Sequence, residues 1–242
     1  KLDKMSKQRL LYGNWEYDDD PAKLMEYNKI QDTFTNTFVK EGEKYLTADL
    51  AMQGRDNFIV AVWSGMRCEI IGVDKNSGNL VKDLIKEKAS GKEIETDLKR
   101  IAEAKEIPRS QIAPDSGGMG SYLKSYMEGI KPFDGARKAY NKEFKNLRSE
   151  CYFKLAEVVN KGQLYINCED PAMRETITED LEQIKRDSLD KDDIKKKVVS
   201  KELIKEMLGR SPDFGDVLMM RMFFEVGLGK IGILTGGQNL LG

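Results

Sequence analysis

The sequence predicts an α/β fold in which helices cover a mixed β-sheet. The spacing of apolar residues is close to two in the first part of the chain and changes to about 3.6 further on, which indicates strands followed by helices. The elements also follow a characteristic order, with three meandering strands, then alternating helices and strands, and finally closing helices. At 242 residues, the chain is long enough for one large domain.

Three apolar segments in the first part of the chain predict an antiparallel meander. They cover residues 45–50, 58–63 and 68–73, and short polar turns at residues 54–56 and 64–65 separate them. Connections this short join antiparallel neighbours, because parallel strands need a longer crossover.

Two further strands complete a predicted five-stranded sheet. Residues 80–104 have a helical spacing with a break near residues 90–91, and residues 111–113 and 130–133 predict short strands. A helix between the two short strands would form a strand-helix-strand unit, which is typical of parallel sheets. We therefore expect one mixed sheet that combines the meander with parallel strands.

The last part of the chain predicts helices at residues 146–160, at residues 202–208 and from residue 211 onwards. A short strand at residues 198–199 would precede the second of them. Residues 169–197 are dense in both charges and weakly periodic. We interpret this stretch as a solvated helical excursion or mobile flap rather than as a dedicated DNA-binding patch.

Composition excludes much catalytic chemistry. The chain has no histidine, so it can form neither a Ser-His-Asp triad nor a Cys-His nucleophile. Cys68, Cys151 and Cys168 are too scattered for a disulfide framework or a zinc site. Catalysis would have to use carboxylates, lysine, tyrosine or a metal ion with oxygen ligands, and Mg²⁺ or Mn²⁺ suits such ligands.

Charge and hydropathy give two more expectations. The net charge is −1 with 33% charged residues, so both signs are mixed and no block of one sign indicates a polyanionic partner. No apolar stretch approaches the roughly 20 residues that span a bilayer, so we expect an intracellular protein without a membrane partner. The chain starts at Lys1, and we expect it to be a fragment of a longer protein.

The last helix carries a carboxylate in an unusual position. Ser211 is a good N-cap, Pro212 suits the first helical position, and Asp213 lies where the helix dipole favours an anion. Asp216 is one turn further along and shares its stripe with three apolar residues, Met219, Met220 and Phe223. A carboxylate on a packed face needs a metal, another cation or several hydrogen-bond donors.

Two other aspartates belong to predicted strands: Asp49 sits deep in a central strand, because Leu50 and Ala51 continue its run, and Asp115 lies just past the carboxyl end of another. Asp49 shares a face of the first strand with Tyr45 and Thr47, and Asp115 follows the strand at residues 111–113. Simple turn or strand-end roles are the alternatives for both. If Asp216 joins them, the cluster implies divalent cations, and two ions about 3.5–4 Å apart can activate a water and stabilise the leaving oxygen of a phosphodiester.

These motifs resemble the C-terminal nuclease domain of the large terminase subunit of tailed bacteriophages or prophages. The resemblance covers most of the chain. In that family, alanine usually stands on both sides of the closing aspartate, where this chain has Gly215 and Val217. The segments that carry the resemblance are residues 9–15, residues 45–49 with Gly54, Asp56 and the strand to Trp63, Asp115 with Gly118 and Gly120, and residues 211–218.

The resemblance implies an RNase H-like fold and a metal-dependent endonuclease that cuts double-stranded concatemeric viral DNA during packaging. It implies that Asp49, Asp115 and Asp216 are catalytic and bind two Mg²⁺ or Mn²⁺ ions, with Asp213 as a candidate fourth acid. Residues 1–40 would be the lead-in from an absent N-terminal ATPase domain, and residues 41–242 the nuclease domain. The implied partners are DNA, that ATPase domain, the small terminase subunit and the portal protein, in the cytoplasm of the bacterial host.

Five lysines are candidates for binding DNA phosphates, although exposed lysines are common and a solvated surface is the alternative. They are Lys195, Lys196, Lys197, Lys201 and Lys205.

Two other functions stay open at this point. The chain could be another RNase H-like nuclease, such as a junction resolvase that uses the same metals. It could also be a noncatalytic module that docks DNA or the portal, with acids that only bind structural cations.

Overall fold

The computed structural model describes residues 20–50, 57–87, 89–117, 119–187 and 195–235. The predicted lead-in motif at residues 9–15, the turn at residues 54–56 and Gly118 lie outside these ranges. Seven strands form the sheet: β1 (Lys44–Asp49), β2 (Asn57–Ser64), β3 (Arg67–Val73), β4 (Leu80–Lys82), β5 (Lys86–Glu87), β6 (Ile112–Pro114) and β7 (Tyr165–Ile166).

Among the described residues, seven helices surround the sheet. They are α1 (Tyr27–Asp32), α2 (Gly91–Ala104), α3 (Met119–Tyr126), α4 (Leu147–Asn160), α5 (Pro171–Glu182), α6 (Lys201–Leu208) and α7 (Asp213–Thr235), and a 3₁₀ turn (Arg109–Gln111) precedes β6. None of the helices in the described ranges is long and apolar enough to span a bilayer.

The sheet is mixed, as the sequence predicts. Its main strand order is β4-β3-β2-β1-β6, and β5 and β7 pair with β2 and β3. β1 is antiparallel to β2 and parallel to β6, with Leu46 opposite Ile112. The parallel pairing brings the carboxyl ends of β1 and β6 to the same edge of the sheet.

The predicted strand at residues 130–133 is reduced to a bridge between Phe133 and Asp115. Its backbone still follows β6, because the Lys131 N–H donates to the Ile112 carbonyl at 2.9 Å. The predicted strand at residues 198–199 is likewise only a bridge, between Val198 and Arg186.

The predicted helix over residues 80–104 is wrong in its first half, which contains β4 and β5. β4 pairs antiparallel with β3, with Leu80 opposite Val73. Asp83 has a left-handed φ of 56°, which is incompatible with a helix interior. Pairing with an open strand edge overrides helical spacing here. The helix begins at a capping box, in which Ser90 and Glu93 bind each other's backbone N–H groups.

The charged stretch that begins at residue 169 is not a solvated excursion. Its helix α5 buries Met173, Ile177 and Leu181 in the core. Two polar residues on the same helix, Thr178 and Asp180, are buried as well. They interrupt the apolar pattern, which explains the weak periodicity of the sequence. Residues 188–194 lie outside the described ranges.

Alternation along β1 gives the sheet two buried faces. Leu46 and Ala48 pack with α2 on one face, whereas Tyr45 points to the face covered by α4 and α7. Thr47 is buried on this second face and donates to the Val217 carbonyl at 2.9 Å. Helix α7 is therefore tied to the middle of β1 by a buried hydrogen bond.

Helix α7 begins at Asp213, one residue after the predicted start, and the Asp216 N–H donates to the Pro212 carbonyl at 2.9 Å. Its first turn receives a cap from another helix. Oδ2 of Asp180 accepts the backbone N–H groups of Phe214 and Gly215, each at 3.1 Å. A carboxylate at this position satisfies open donors and complements the helix dipole.

Arg210 neutralises the capping carboxylate. Its guanidinium forms an ion pair with Oδ1 of Asp180 and lies 2.8 Å from Glu179 Oε2. Burial raises the pKa of Asp180 to about 7, while Arg210 and the Gly215 N–H act in the opposite direction. Asp180 thus joins α5, the turn before α7 and α7 itself.

The Asp180 cap gives a stability prediction. Asp180→Ala removes a helix cap and the buried partner of Arg210, so we expect the free energy of unfolding to fall by about 2–4 kcal/mol. Denaturant unfolding at about pH 8, where the carboxylate is charged, measures it. Glu179→Ala is the control, and it should cost less than about 1 kcal/mol because the ion pair of Glu179 with Arg210 is partly open to solvent. Equal losses in both variants would contradict the capping role.

Gly215 gives a second prediction. A Cβ there would lie 3.4 Å from the Asp180 Cβ and 3.6 Å from the Tyr152 Oη, both ordinary contacts. We expect Gly215→Ala to stabilise the chain by about 0.4–1 kcal/mol, because it restricts the unfolded state. At Gly72, by contrast, a Cβ would lie 2.6 Å from the Leu84 carbonyl oxygen, so Gly72→Ala should destabilise. Thermal unfolding of both variants checks the contrast, and destabilisation by Gly215→Ala would show that a side chain at position 215 does not fit beside Asp180 and Tyr152.

Candidate metal centre

The carboxyl ends of β1 and β6 meet the first turn of α7 in one cleft. Asp49 is the last residue of β1, Asp115 follows β6, and Asp216 lies in the first turn of α7. The Asp115 N–H donates to the Ala48 carbonyl at 2.8 Å, which places Asp115 beside the end of β1. Asp115 and Asp216 line a cavity of about 300 Å³.

Lys201 connects two of these carboxylates. Its Nζ lies 2.6 Å from Asp216 Oδ2 and 3.8 Å from Asp49 Oδ2. The residue begins helix α6, whose N-cap Ser200 accepts the Leu203 N–H. Although desolvation lowers the pKa of Lys201, the charges of Asp216 and Asp49 outweigh it and raise that pKa. The ammonium therefore stays protonated between the two acids.

The surroundings of Asp49 disfavour its charged form. It is only 8% exposed, and burial raises its pKa well above the ordinary value. Lys201 opposes this shift, whereas the neighbouring charges of Asp216, Asp213 and Asp115 add to it. Asp49 thus lies within reach of three other acidic charges, as expected for a cluster that requires positive charge.

Asp115 is held by the backbone that follows it. Burial raises the pKa of Asp115, and the backbone N–H of Gly117 and the charge of Lys201 partly offset this shift. A Cβ at Gly117 would lie 3.1 Å from Asp115 Oδ2, which is closer than a side chain normally approaches. The glycine therefore permits the tight turn that orients Asp115.

Asp213 lies at the border of the cluster. It is 6% exposed, and its Oδ2 accepts the Asn57 N–H at 3.4 Å. This contact joins the start of α7 to the start of β2. Asp213 thus has a structural role, and its charge also raises the pKa of Asp49.

Two residues that sequence reasoning missed contact Asp216 from α4. The Tyr152 hydroxyl donates to Asp216 Oδ1 at 2.6 Å, and the Arg148 Nε lies 3.8 Å from the same oxygen. Burial raises the pKa of Tyr152 well above its usual range, so the phenol remains a donor. Their spacing in the sequence could have indicated that they act together, because one helical turn separates them. Tyr152 also adjoins the predicted apolar face at Cys151.

The five candidate DNA-binding lysines have different positions. Lys201 lies between the acids, and Lys197 lines the cleft while its Nζ lies 2.9 Å from Asp187 Oδ2. Lys196 is paired with Glu143 at 3.1 Å. The cleft lining includes neither Lys196 nor the other two candidates, Lys195 and Lys205.

The donor set fits a hard divalent cation. Within the described ranges, no three acidic or cysteine side chains stand close enough together to form a complete metal site as they are. Lys201 nevertheless shows where the carboxylates accept positive charge, since its ammonium lies between Asp49 and Asp216. Carboxylate oxygens are the ligands that Mg²⁺ and Mn²⁺ prefer.

No family model and no curated protein sequence matches the chain. Solved structures do match. A lysine-to-alanine variant of the nuclease domain of the large terminase subunit gp2 of bacterial virus Sf6, with manganese and beta-thujaplicinol, aligns with a TM-score of 0.64 and 16% identity. The alignment covers 83% of this chain and 98% of that domain.

Two other structures of the same Sf6 domain give similar values. The variant with calcium has a TM-score of 0.62 at 16% identity, and the nuclease domain without a named substitution has 0.59 at 17%. Each alignment covers 83% of this chain and 98% of the domain. The expected fold is thus confirmed: the chain has the RNase H-like fold of the nuclease domain of a bacteriophage large terminase subunit.

Proposed function

We propose that this chain is a metal-dependent endonuclease that cleaves double-stranded concatemeric viral DNA during genome packaging. One observation carries the proposal. The buried acids Asp49 and Asp216 share the Lys201 ammonium in a cleft that Asp115 also lines. The matched Sf6 nuclease domains, which were solved with manganese or calcium, support the same activity.

In this proposal, Asp49, Asp115 and Asp216 hold two Mg²⁺ or Mn²⁺ ions, and Asp213 is a candidate fourth acid. When bound, such ions neutralise phosphate charge and lower the pKa of water, so that no histidine base is needed. The residues of the chain would supply the oxygen ligands. Gly117 and the Thr47 contact to α7 keep Asp115 and Asp216 in position.

Lys201 has a separate part in the proposed reaction. Its ammonium and a divalent cation compete for the same oxygens, so Lys201 has to leave Asp216 before an ion binds there. Once displaced, it remains at the cleft, where its positive charge can attract a DNA phosphate. Lys197 and Arg148 line the same cleft and add positive charge to it.

The wider assignment follows from the proposed family. An ATPase domain would precede the lead-in at residues 1–40, and residues 41–242 would form the nuclease domain. Residues of this lead-in already pack into the core, among them Met25, Ile30 and Phe34. We also propose that the small terminase subunit and the portal protein are partners, that the protein acts in the host cytoplasm, and that cleavage has weak sequence preference.

The proposed function gives a cleavage prediction for the three acids. With Mn²⁺ or Mg²⁺, the chain should nick and linearise plasmid DNA, and Asp49→Asn, Asp115→Asn and Asp216→Asn should each slow cleavage by at least about 100-fold, or about 2.7 kcal/mol in activation free energy. Asp32→Asn is the control, since Asp32 lies on α1 outside the cleft. EDTA should abolish cutting. Full cleavage by the Asp216 variant would contradict the assigned site, no cleavage by the wild-type chain would favour the noncatalytic docking module, and cutting in EDTA would exclude the metal mechanism.

A prediction about Mn²⁺ affinity concerns Lys201. Lys201→Ala removes the competing ammonium, so we expect Mn²⁺ to bind at least about 10-fold more tightly, or about 1.4 kcal/mol. Titration calorimetry without DNA measures this. Lys205→Ala, one turn further along α6, should leave the affinity unchanged. Equal Mn²⁺ affinity in the wild-type chain and the Lys201 variant would show that the lysine and the ion do not share the site.

A further inference from the structure

The two carboxylate oxygens of Asp216 have different neighbours. Oδ1 accepts the Tyr152 hydroxyl at 2.6 Å, whereas Oδ2 lies 2.6 Å from the Lys201 Nζ. The first contact comes from the interior, since Tyr152 is fully buried, and the second comes from the cleft. The carboxylate is therefore oriented, with one oxygen held by the core and the other turned to the site of positive charge.

Tyr152 can hold this oxygen firmly. Its ring belongs to the core between α4 and α7, so its hydroxyl has little freedom. A hydrogen bond from a phenol to a carboxylate is also short and strong, because the acceptor is charged. The Arg148 guanidinium lies over the ring at 4.8 Å, one turn earlier on α4, and restricts it from the other side.

Arg148 adds a second constraint. Its Nη1 donates to the Val199 carbonyl at 3.0 Å, which ties α4 to the segment that leads into Lys201. Its Nε and Nη2 are buried and have no hydrogen-bond partner among the described residues. These two nitrogens form the edge of a guanidinium that suits a carboxylate, and Nε already lies 3.8 Å from Asp216 Oδ1.

We propose that Tyr152 and Arg148 are positioning residues, which hold Oδ1 of Asp216 so that Oδ2 is presented to the divalent cation. The inference rests on the proposed function. Neither residue would touch the ion or the DNA bond that is cleaved. Groups that orient metal-binding carboxylates in this way typically change metal affinity or activity by about 10–100-fold when they are removed.

Tyr152→Phe tests the hydroxyl. The variant keeps the buried ring and loses only the donor, so we expect Mn²⁺ to bind about 10-fold more weakly or worse in titration calorimetry. The Mn²⁺ concentration for half-maximal cleavage should rise in parallel. Tyr165→Phe is the matched control, because that tyrosine lies at the opposite end of the sheet, with its hydroxyl 3.4 Å from Asn167. It should bind Mn²⁺ as the wild type does.

Arg148 is tested by a pair of variants. Arg148→Met keeps much of the packing but removes the charge and the donors, and it should weaken Mn²⁺ binding by about 10-fold. Arg148→Lys restores the charge without the planar edge, and it should recover part of the loss. A role confined to the Val199 contact would lower the melting temperature and leave the Mn²⁺ affinity of the folded variants unchanged. Melting temperatures are measured for all variants. If Tyr152→Phe does not fold, the two Arg148 variants alone test the positioning role.

The outcomes separate this inference from the function it rests on. Wild-type Mn²⁺ affinity in folded Tyr152→Phe and Arg148→Met would overturn the positioning role and leave the nuclease proposal intact. A wild-type chain that neither binds Mn²⁺ nor cleaves DNA would overturn both. Weaker binding in both variants, with partial recovery in Arg148→Lys and no change in Tyr165→Phe, is the supporting result.

Discussion

The burial of acidic charge at one edge of the sheet is the constraint on which the rest of this structure depends. Asp49 and Asp216 are 8% and 5% exposed, and a buried carboxylate without a counter-charge costs several kcal/mol. The strand order explains why the acids meet, because parallel β1 and β6 end together and α7 starts above them. Lys201 on α6 then supplies the compensating charge.

Helix α7 has to be placed accurately for this arrangement, and three other elements hold its first two turns. β1 holds it through Thr47 and the Val217 carbonyl, α5 caps it with Asp180, and α4 binds Asp216 with Tyr152. These contacts are polar and buried, so they fix orientation more narrowly than apolar packing does. The same N-terminus favours anions through its dipole, which lowers the cost of placing aspartates there.

The features of this structure that depend on local sequence pattern could be predicted from the sequence. Alternation in residues 45–50 predicted which side chains of β1 share a face, and the awkward position of Asp216 on an apolar stripe led to the acidic cluster. Contacts between segments that are distant in the sequence could not be predicted in this way. Asp180 caps a helix that starts 33 residues later, and Tyr152 looks like an ordinary core aromatic. β4 and β5 form because open strand edges lie beside them, which no local spacing shows.

If the cleft holds a divalent cation as proposed, the ion binds by exchange with Lys201 rather than by simple addition. In the proposed enzyme, the apparent affinity for the ion is its intrinsic affinity reduced by the free energy needed to withdraw an ammonium from Asp216. Any ligand that draws Lys201 outwards reduces this cost, and a DNA phosphate is such a ligand. Thermodynamic reciprocity then requires that DNA tightens metal binding by the same factor by which metal tightens DNA binding. One lysine would thus make the two ligands cooperative, even though they contact different atoms.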